Sequence, residues 1–301
     1  MTGNYEKFGY GVFLLKTKNS LFNANFAHEP RQLPDEYGTF YATDKSLKYC
    51  IRRYIHDIKG DKNVFFWRRN DDKLNALTLG GNYKSVFGKG PVKKDSLGAE
   101  TNLLSCWDVR AFGATFAESE CSVSITGPIQ ITYGVNKAQE NQKYSNQILS
   151  PFLNSNKKEK DAARTLGNES KAQEAHLAFD YVINPKTLRQ PKLTNEDVVW
   201  FKEALCKGVS YVNSSAKIGS ESEFMLYVES DEHNTLPLMK DLLDIRVEHG
   251  MTMVGLKRVA NMLSEYGIKN IEVYYEPSFV TLEGLPAGAK TFNIHTLSSI
   301  G

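Results

Sequence analysis

The spacing of apolar residues changes along the chain, and each spacing predicts a different kind of element. The run GYGVFLLKT (9–17) is almost continuously apolar and predicts a buried first strand. The next apolar positions recur every three or four residues, which predicts a helix that begins after Thr43. Those positions are Leu47, Ile51, Tyr54, Ile55 and Ile58. Thr43 is suited to cap this helix, and Asp44 suits the positive end of its dipole.

From residue 108 onwards, the chain contains predicted strands and predicted helices in turn. DVRAFGATF (108–116) and SITGPIQITYG (124–134) alternate in the manner of strands that could pair. Further strands are predicted at 176–184, 224–230 and 271–277.

Three helices are predicted between these strands. Thr194 begins TNED, which is similar to a capping box, and an apolar pattern at helical spacing follows it. LPLMKDLLDI (236–245) predicts a short helix. LKRVANMLSEYG (256–267) predicts another helix, and Gly267 is placed to cap its C-terminus.

Two polar segments interrupt this pattern. Residues 78–105 are rich in Gly, Ser and Lys and predict an insertion or a mobile arm. Residues 139–173 are charge-dense with few apolar positions, which predicts an excursion from the core.

Interleaved strands and helices at both ends of the chain predict an α+β fold, with a sheet that carries helices on one face. A ferredoxin-like or RRM-like βαββαβ core is favoured over a barrel or a bundle. The predicted division has a first part of this core at 1–138, with the inserted arm near 78–105. The insertion at 139–173 follows, and 174–301 supplies the remainder of the core.

The composition is that of a globular protein: 41% of the 301 residues are hydrophobic and 24% are charged. Because the formal net charge is only +2, any surface that binds a polyanion must be local. The four cysteines form no CxxC pair, which disfavours a zinc ribbon or a thioredoxin site. With no stretch long enough for a membrane span or a signal peptide, we expect a cytoplasmic protein with reduced thiols.

The predicted helix after Thr43 carries a stripe of cations beside its apolar face. The stripe consists of Lys45, Lys48, Arg52 and Lys59. Like charges three or four residues apart repel by roughly 0.2–0.5 kcal/mol per pair, and a bound anion would turn that repulsion into binding energy. From the helix alone, a solvated basic face and an anion-binding stripe both remain possible.

Catalytic patterns are absent from the sequence. The six histidines are scattered without metal-ligand spacing, and His176 is expected to be a structural histidine within a strand. Asp108 and Arg110 are either an acid with an anion clamp or a structural ion pair. Asp44 could bind a metal, but its position at a helix N-terminus also explains it. We therefore expect no enzyme activity, metal or cofactor.

Features of nucleic-acid binding are stronger. Basic residues also gather in GKGPVKK (88–94) and NKKEKDAAR (156–164). No aromatic motif of the RNP type occurs on the first strand, so backbone electrostatics should dominate any RNA binding.

Five blocks carry a resemblance to one family. They are GVFLLKTKNS, TDKSLKYCIRRYI, DVRAFGATFA followed by SITGPIQITYG, LGNESKAQEAHLAFDYVIN, and TNEDVVWFKEALCKGV. In this order, from about residue 8 to 230, they resemble the CRISPR-associated backbone subunits of type I Cascade, most closely those of type I-B.

The resemblance implies a hand-shaped protein with an RRM-like palm, a web or helical region and a thumb. Copies would stack head to tail along a CRISPR RNA, and their thumbs would kink the guide so that the bases between kinks pair with target DNA. Implied partners are a large PAM-recognising subunit, a handle-binding subunit, a small subunit and a recruited helicase-nuclease. No membrane is implied.

The resemblance also suggests which residues meet RNA. Thr43, Lys45, Lys48 and Arg52 fall where family members meet the RNA backbone. The polar segment 139–173 matches the thumb, so RNA or the next subunit would contact Lys157, Lys158 and Arg164. The loop before the helix should lie near the helix start and adds Asn23, Asn25 and Arg31. Arg110 and Gln130 are weaker candidates, because structural roles at strand ends explain them as well.

The loop after the first strand departs from the family. NSLFNANFAHEP keeps Asn23 and Asn25 but lacks the acidic residues and the glycine that type I-B and I-C relatives usually have. Related type III subunits cut target RNA with a loop aspartate, whereas residues 18–34 contain no Asp. Two alternatives stay open: a metal-dependent ribonuclease of the same RRM-like lineage that uses Asp44 or Asp108, and a stand-alone RNA-binding protein.

Overall fold

The predicted first strand lies at the centre of the main sheet. A computed structural model of the chain describes residues 3–138, 141–153, 164–231 and 235–300. β1 (Phe8–Ser20) runs between β8 (Arg164–Ile183) and β9 (Ser220–Ser230), antiparallel to both. Both faces of β1 are covered, which explains its continuous apolar run.

The main sheet has the strand order β14-β12-β9-β1-β8-β6-β2, and β5 and β7 also pair with β8. β6 and β8 are antiparallel, so β6 runs parallel to β1 across β8. The bounds of the remaining strands of this sheet are β2 (Tyr41–Ala42), β5 (Ile129–Ile131), β6 (Gly134–Asn136), β7 (Lys143–Leu153), β12 (Asn270–Tyr275) and β14 (Lys290–Asn293).

Two helices pack side by side on one face of this sheet. α1 (Asp44–Lys59) follows β1, and α5 (Asn195–Tyr211) follows β8. Both N-caps are confirmed: Thr43 accepts from the Ser46 amide, and Thr194 forms a capping box with Asp197. A side chain at Gly208 would come within 3.0 Å of the Cys50 carbonyl, so glycine permits the close approach of the two helices.

The other face of the sheet is covered as well, in contrast to the prediction of helices on one face only. A C-terminal module packs there, through residues such as Val254 and Val259 against Val12 and Leu14. The module consists of β10 (Asp244–Glu248), β11 (Met251–Gly255), α6 (Lys257–Glu265) and β13 (Val280–Glu283). α6 is a predicted helix, and Gly267 beyond its end has the left-handed φ of +67°.

The predicted helix at 236–245 is wrong. Only a 3-10 turn at Lys240–Leu242 forms, and β10 begins at Asp244. The amides of Met239 and Lys240 donate to the buried Asp180 carboxylate on β8, at 2.7 and 2.8 Å. This tertiary anchor holds the segment in a conformation that its helix-like spacing does not reveal.

Residues 78–105, predicted to be an insertion or a mobile arm, lie largely in helices that pack into a core of their own. This separate core contains the aromatic side chains of Phe65, Tyr83 and Phe116. The elements are α2 (Leu79–Phe87), α3 (Ser96–Leu104), α4 (Trp107–Phe112), β3 (Gly113–Glu118) and β4 (Cys121–Thr126). These helices were not predicted because the segment is rich in glycine and lysine and has few apolar positions. Those few positions are enough to pack these helices into a core.

The two predicted strands at 108–116 and 124–134 are correct only in part. Residues 107–112 are helical, and the strand begins at Gly113, whose φ of +83° and close backbone neighbour Ile125 require glycine. β3 pairs with β4, as predicted, whereas β5 and β6 leave this hairpin and join the main sheet.

The polar segment 139–173 contributes a β-ribbon. β7 pairs with the first part of β8 from Lys143 opposite Ala172 to Leu149 opposite Leu166. β8 then continues across residue 173 into the main sheet. β8 has 20 residues, which is roughly 65 Å of strand. On its partner β7, the side chains at 145–149 are exposed. None of the described helices is long and apolar enough to cross a membrane.

Candidate nucleic-acid interface

The loop between β1 and α1 is fastened to the start of the helix, as predicted, through Asn23. Its side-chain oxygen accepts hydrogen bonds from the Thr43 amide at 2.9 Å and from the Thr43 hydroxyl at 3.1 Å. Thr43 Oγ1 in turn accepts from the Ser46 amide. The loop and the first turn of α1 therefore form one surface.

Asn25 builds this loop rather than projecting from it. Its side-chain oxygen accepts from the amides of Ala27 and Glu29, at 2.9 and 3.0 Å. The acceptor of Asn25 is thus engaged in a turn.

Two cations next to this loop have no carboxylate partner in the part of the chain that the structure describes. Arg31 donates from Nη1 to the Tyr41 hydroxyl at 3.5 Å, and its buried Nε has no hydrogen-bond partner. Lys217 donates to the Phe22 carbonyl and lies 4.1 Å from the centre of the Phe22 ring. Burial lowers the pKa of Lys217. Both side chains are sources of uncompensated positive charge.

Sequence reasoning missed Lys217, which lies in the loop after α5. Nothing in NSSAKIG indicates that this lysine packs against residue 22, nearly two hundred positions earlier. Only the pairing of β1 with β9 brings the two segments together.

The cationic stripe of α1 is largely neutralised. Lys48 is buried and pairs with Asp44 at 3.1 Å, and Lys59 pairs with Glu203 at 2.8 Å. Burial lowers the pKa of Lys48 in spite of its carboxylate partner. Lys45, with its side chain 83% exposed and 3.8 Å from Asp44, is the stripe residue that projects into solvent.

Arg52 is held by a buried carboxylate. Its Nε donates to Asp108 Oδ2 at 2.9 Å, and its guanidinium lies against the rings of Phe66 and Phe112. Asp108 is fully buried and also accepts from the amides of Phe65 and Phe66. Asp108 thus orients the guanidinium through Nε, and the four N–H donors of the two Nη nitrogens have no hydrogen-bond partner among the described residues.

Arg110 has a structural role. It forms two hydrogen bonds to Asp197, at 2.8 and 3.4 Å, and two more to the carbonyls of Leu104 and Ser105. It therefore fastens α4 to the N-terminus of α5. Asp108 and Arg110 do not form the ion pair that the structural interpretation predicts: Asp108 pairs with Arg52, and Arg110 pairs with Asp197.

The remaining predicted residues lie elsewhere. Gln130 is exposed on β5 and donates to the Gly127 carbonyl at 2.8 Å. Arg164 pairs with Leu153 in the ladder of the ribbon. Lys157 and Lys158 lie outside the described residues.

The base of the ribbon meets the loop between β1 and α1. Lys143 at the start of β7 pairs with Glu29 at 2.7 Å. Next to Arg31, Tyr41 stacks on Tyr133, with 5.8 Å between ring centres and 16° between planes. The 21–43 loop, the first turn of α1 and Lys217 together form one surface, the loop surface.

The two carboxylates considered for catalysis, Asp44 and Asp108, already have hydrogen-bond or ion-pair partners within the chain. Asp108 is buried with three hydrogen-bond donors, and Asp44 pairs with Lys48. His176 is fully buried with Nδ1 2.7 Å from Glu223, as expected of a structural histidine. Within the described ranges, no group of three or more His, Cys, Asp or Glu residues is arranged to hold a metal ion.

Comparisons with known proteins point to one family. The family model described as "CRISPR-associated protein Cas7" matches residues 7–269. A search of curated proteins gives no match.

Two solved structures share the fold. A chain titled "CRISPR RNA-guided surveillance complex, pre-nicking" has a TM-score of 0.55 and 11% identity, over 95% of this chain and 96% of the other. A chain titled "CRISPR RNA-guided surveillance complex" has a TM-score of 0.53 and 12% identity, over 89% of this chain and 88% of the other. At such identities the likeness concerns the fold alone.

Proposed function

This chain belongs to the CRISPR-associated Cas7 family, and we propose that it is a backbone subunit that binds CRISPR RNA in a Cascade surveillance complex. Besides the family match, the proposal rests on the loop surface, where Arg31 and Lys217 have no carboxylate partner among the described residues. Arg31, Lys217 and the exposed Lys45 surround the start of α1. The free Nη donors of Arg52 extend the same α1 stripe.

This arrangement suits phosphates rather than a particular base sequence. Lys and Arg supply the contacts to phosphate that dominate sequence-independent binding, and each contact adds to the salt dependence of affinity.

The topology supports the proposal of an RRM-like palm. The order β9-β1-β8-β6, with α1 and α5 packed on one face, agrees with a βαββαβ core. We propose that the ribbon of β7 and β8 is the thumb and that the α2–β4 module is the web.

We further propose a type I-B complex, in which copies stack head to tail along the guide and leave its bases to pair with target DNA. The sequence blocks that resemble type I-B subunits support this assignment. The expected partners are a large PAM-recognising subunit, a handle-binding subunit, a small subunit and a recruited helicase-nuclease, in the cytoplasm.

We propose that the chain is not an enzyme. Residues 18–34 contain no Asp, and Asp108 is closed off by Arg52 and two backbone amides. The alternative is a metal-dependent ribonuclease, which requires that Mg²⁺ promote cleavage of the bound RNA. Intact RNA after prolonged incubation with Mg²⁺ is the result that we expect.

The salt dependence of RNA affinity tests the proposed binding surface. For labelled single-stranded RNA of arbitrary sequence, Lys45→Ala and Lys217→Met should each lower the slope of log affinity against log salt by about 0.7. Methionine at 217 keeps the apolar stem over Phe22 while removing the charge. Lys257→Ala, on exposed α6 across the sheet, is the matched control and should leave the slope unchanged. Equal slopes for all four proteins would contradict the proposal.

A further inference from the structure

The tip of the loop between β1 and α1 carries the most exposed aromatic side chain of the described residues. Phe26 has a relative exposure of 101%, and its neighbours Ala27 and His28 are exposed too. Single exposed apolar side chains are common on proteins, so exposure alone assigns no role. The construction of the tip is more informative.

The tip is a tightly bonded turn. Asn25 accepts two backbone hydrogen bonds through its side chain, and its own amide donates to the Glu29 carbonyl at 2.8 Å. His28 closes the turn in the left-handed region at φ 59° and donates to the Asn25 carbonyl at 3.2 Å. Ala24 and Pro30 form a bridge below it. This backbone directs Phe26 into solvent and away from the core.

Both sides of the tip are anchored to larger elements. Glu29 pairs with Lys143 of the ribbon, and Asn23 is bonded to Thr43 at the start of α1. An aromatic ring on such a fixed turn loses little conformational entropy when it binds a ligand.

The same loop presents a second exposed aromatic residue on a second turn. Tyr37 has a relative exposure of 73%, and its turn is held by the Asp35 carboxylate, which accepts from the Thr39 amide at 2.9 Å. Gln32 closes this turn by donating to the Gly38 carbonyl at 2.9 Å. Two aromatic tips therefore project from one bonded loop.

Two cations without carboxylate partners among the described residues lie at the base of this loop, and Glu29, the acid next to the tip, is paired with Lys143. The Arg31 amide donates to the Asn23 carbonyl while its guanidinium reaches the Tyr41 hydroxyl, and Lys217 Nζ donates to the Phe22 carbonyl. Exposed rings beside unpaired cations are the combination that binds single-stranded nucleic acid, through base stacking and phosphate contacts together. An apolar protein pocket would instead require a continuous apolar patch, whereas Phe26 is bordered by His28 and the hydrogen-bonded Asn25.

We propose that Phe26 is a base-stacking residue, whose ring stacks on a nucleobase of single-stranded RNA held at the loop surface. This inference rests on the proposed function and adds a base contact to a surface otherwise described by phosphate contacts. Because every nucleobase has a flat face, the contact tolerates any sequence.

The test uses the full chain and single-stranded RNA that carries one 2-aminopurine, placed at successive positions. In wild type, stacking on Phe26 should quench the fluorescence at the position that reaches the tip. Phe26→Ala should abolish this quenching and weaken binding about 5- to 150-fold. Its salt slope should match that of wild type, because no charge is removed.

Two further variants separate stacking from apolar contact. Phe26→Trp should keep the quenching, whereas Phe26→Leu, which is apolar but has no ring face, should behave like Phe26→Ala. The control Phe279→Ala removes an aromatic ring that is 60% exposed in the C-terminal module and should have no effect.

The outcomes distinguish this inference from the proposed function. RNA binding by wild type with unchanged affinity and quenching in Phe26→Ala would overturn the inference and leave the function standing. If Phe26→Ala binds RNA normally but assembles fewer copies on each RNA, Phe26 lies in a contact between proteins, and the base-stacking inference is overturned as well. No binding of RNA by wild type would contradict both.

Discussion

At the scale of single residues, the pairing of Arg52 with Asp108 changes the meaning of the α1 stripe. Charge counting along the helix predicts four equivalent cations, but Asp108, Asp44 and Glu203 neutralise three of them. Arg52 is consequently a structural partner of a buried carboxylate and, in the proposed function, a hydrogen-bond donor to phosphate. Loss of its side chain must affect folding as well as binding.

We expect Arg52→Ala to lower the free energy of unfolding by about 3–5 kcal/mol, because Asp108 would remain buried without its cation. Urea denaturation measures the change. Arg53→Ala is the neighbouring control, since its pair with Asp57 is exposed and should contribute at most about 1 kcal/mol.

A second variant checks the cause of this loss. Adding Asp108→Asn to Arg52→Ala removes the buried charge and should restore part of the stability. If Arg52→Ala is as stable as wild type, the pair does not support the fold, and the structural reading of Asp108 is wrong.

The sequence could identify several residues of the candidate site but not their partners. Thr43 as an N-cap and the approach of the loop to α1 follow from local patterns, and both are confirmed. The partner of Arg52 is 56 residues away, and Lys217 reaches the loop only through strand pairing. Contacts between distant segments leave no periodic signal in one sequence.

At the scale of elements, a polar clamp joins α1 to α5. Glu203 accepts hydrogen bonds from Lys59 at 2.8 Å and from Tyr54 at 2.7 Å. Burial alone would raise the pKa of Glu203, but these two partners outweigh burial and hold its pKa below the usual value of 4.5. The clamp lies beside the apolar contact of the two helices.

We expect this clamp to make stability depend on pH. Because the pKa of Glu203 is lower in the folded chain than in the unfolded one, its stabilisation is present above about pH 4.5 and is lost as the pH falls through the folded value. Glu203→Gln should therefore lower the free energy of unfolding by about 1.5–3 kcal/mol at neutral pH.

The variant should also lose less stability than wild type on acidification, which denaturation at several pH values measures. Glu265→Gln, on the exposed part of α6, is the control and should follow wild type. If the free energy of unfolding falls equally with pH in wild type and in Glu203→Gln, the pKa of Glu203 does not differ between the folded and the unfolded chain, which contradicts the prediction.

Elements with strong periodicity and caps were predictable, and those set by tertiary contacts were not. β1, α1, α5 and α6 follow from apolar spacing and capping residues in the sequence. The segment at 236–245 has helical spacing but is anchored by Asp180, and 107–112 is helical although its composition resembles a strand. In both places a distant partner overrides the local preference.

At the scale of the whole molecule, the two faces of the central sheet are closed, and the ribbon and the loop surface remain available for binding. α1 and α5 cover one face, and the C-terminal module covers the other. The ribbon continues β8 beyond the sheet and meets the loop surface at its base through Lys143 and Glu29. Repeated copies along an RNA could therefore each offer a loop surface and a ribbon without disturbing the core.

The most direct measurement is of the nucleic acid that copurifies with the chain from cells that also express a CRISPR array. Sizing and sequencing the RNA, together with the protein-to-RNA ratio, measures binding and assembly at once. We expect guide RNA of uniform length with several copies of the chain on each molecule. A variant in which Asn-Gly replaces residues 144–171 keeps the pair Lys143–Ala172 and should fold but lose this regular ratio. A wild-type chain that purifies as a monomer without RNA would contradict the proposed function.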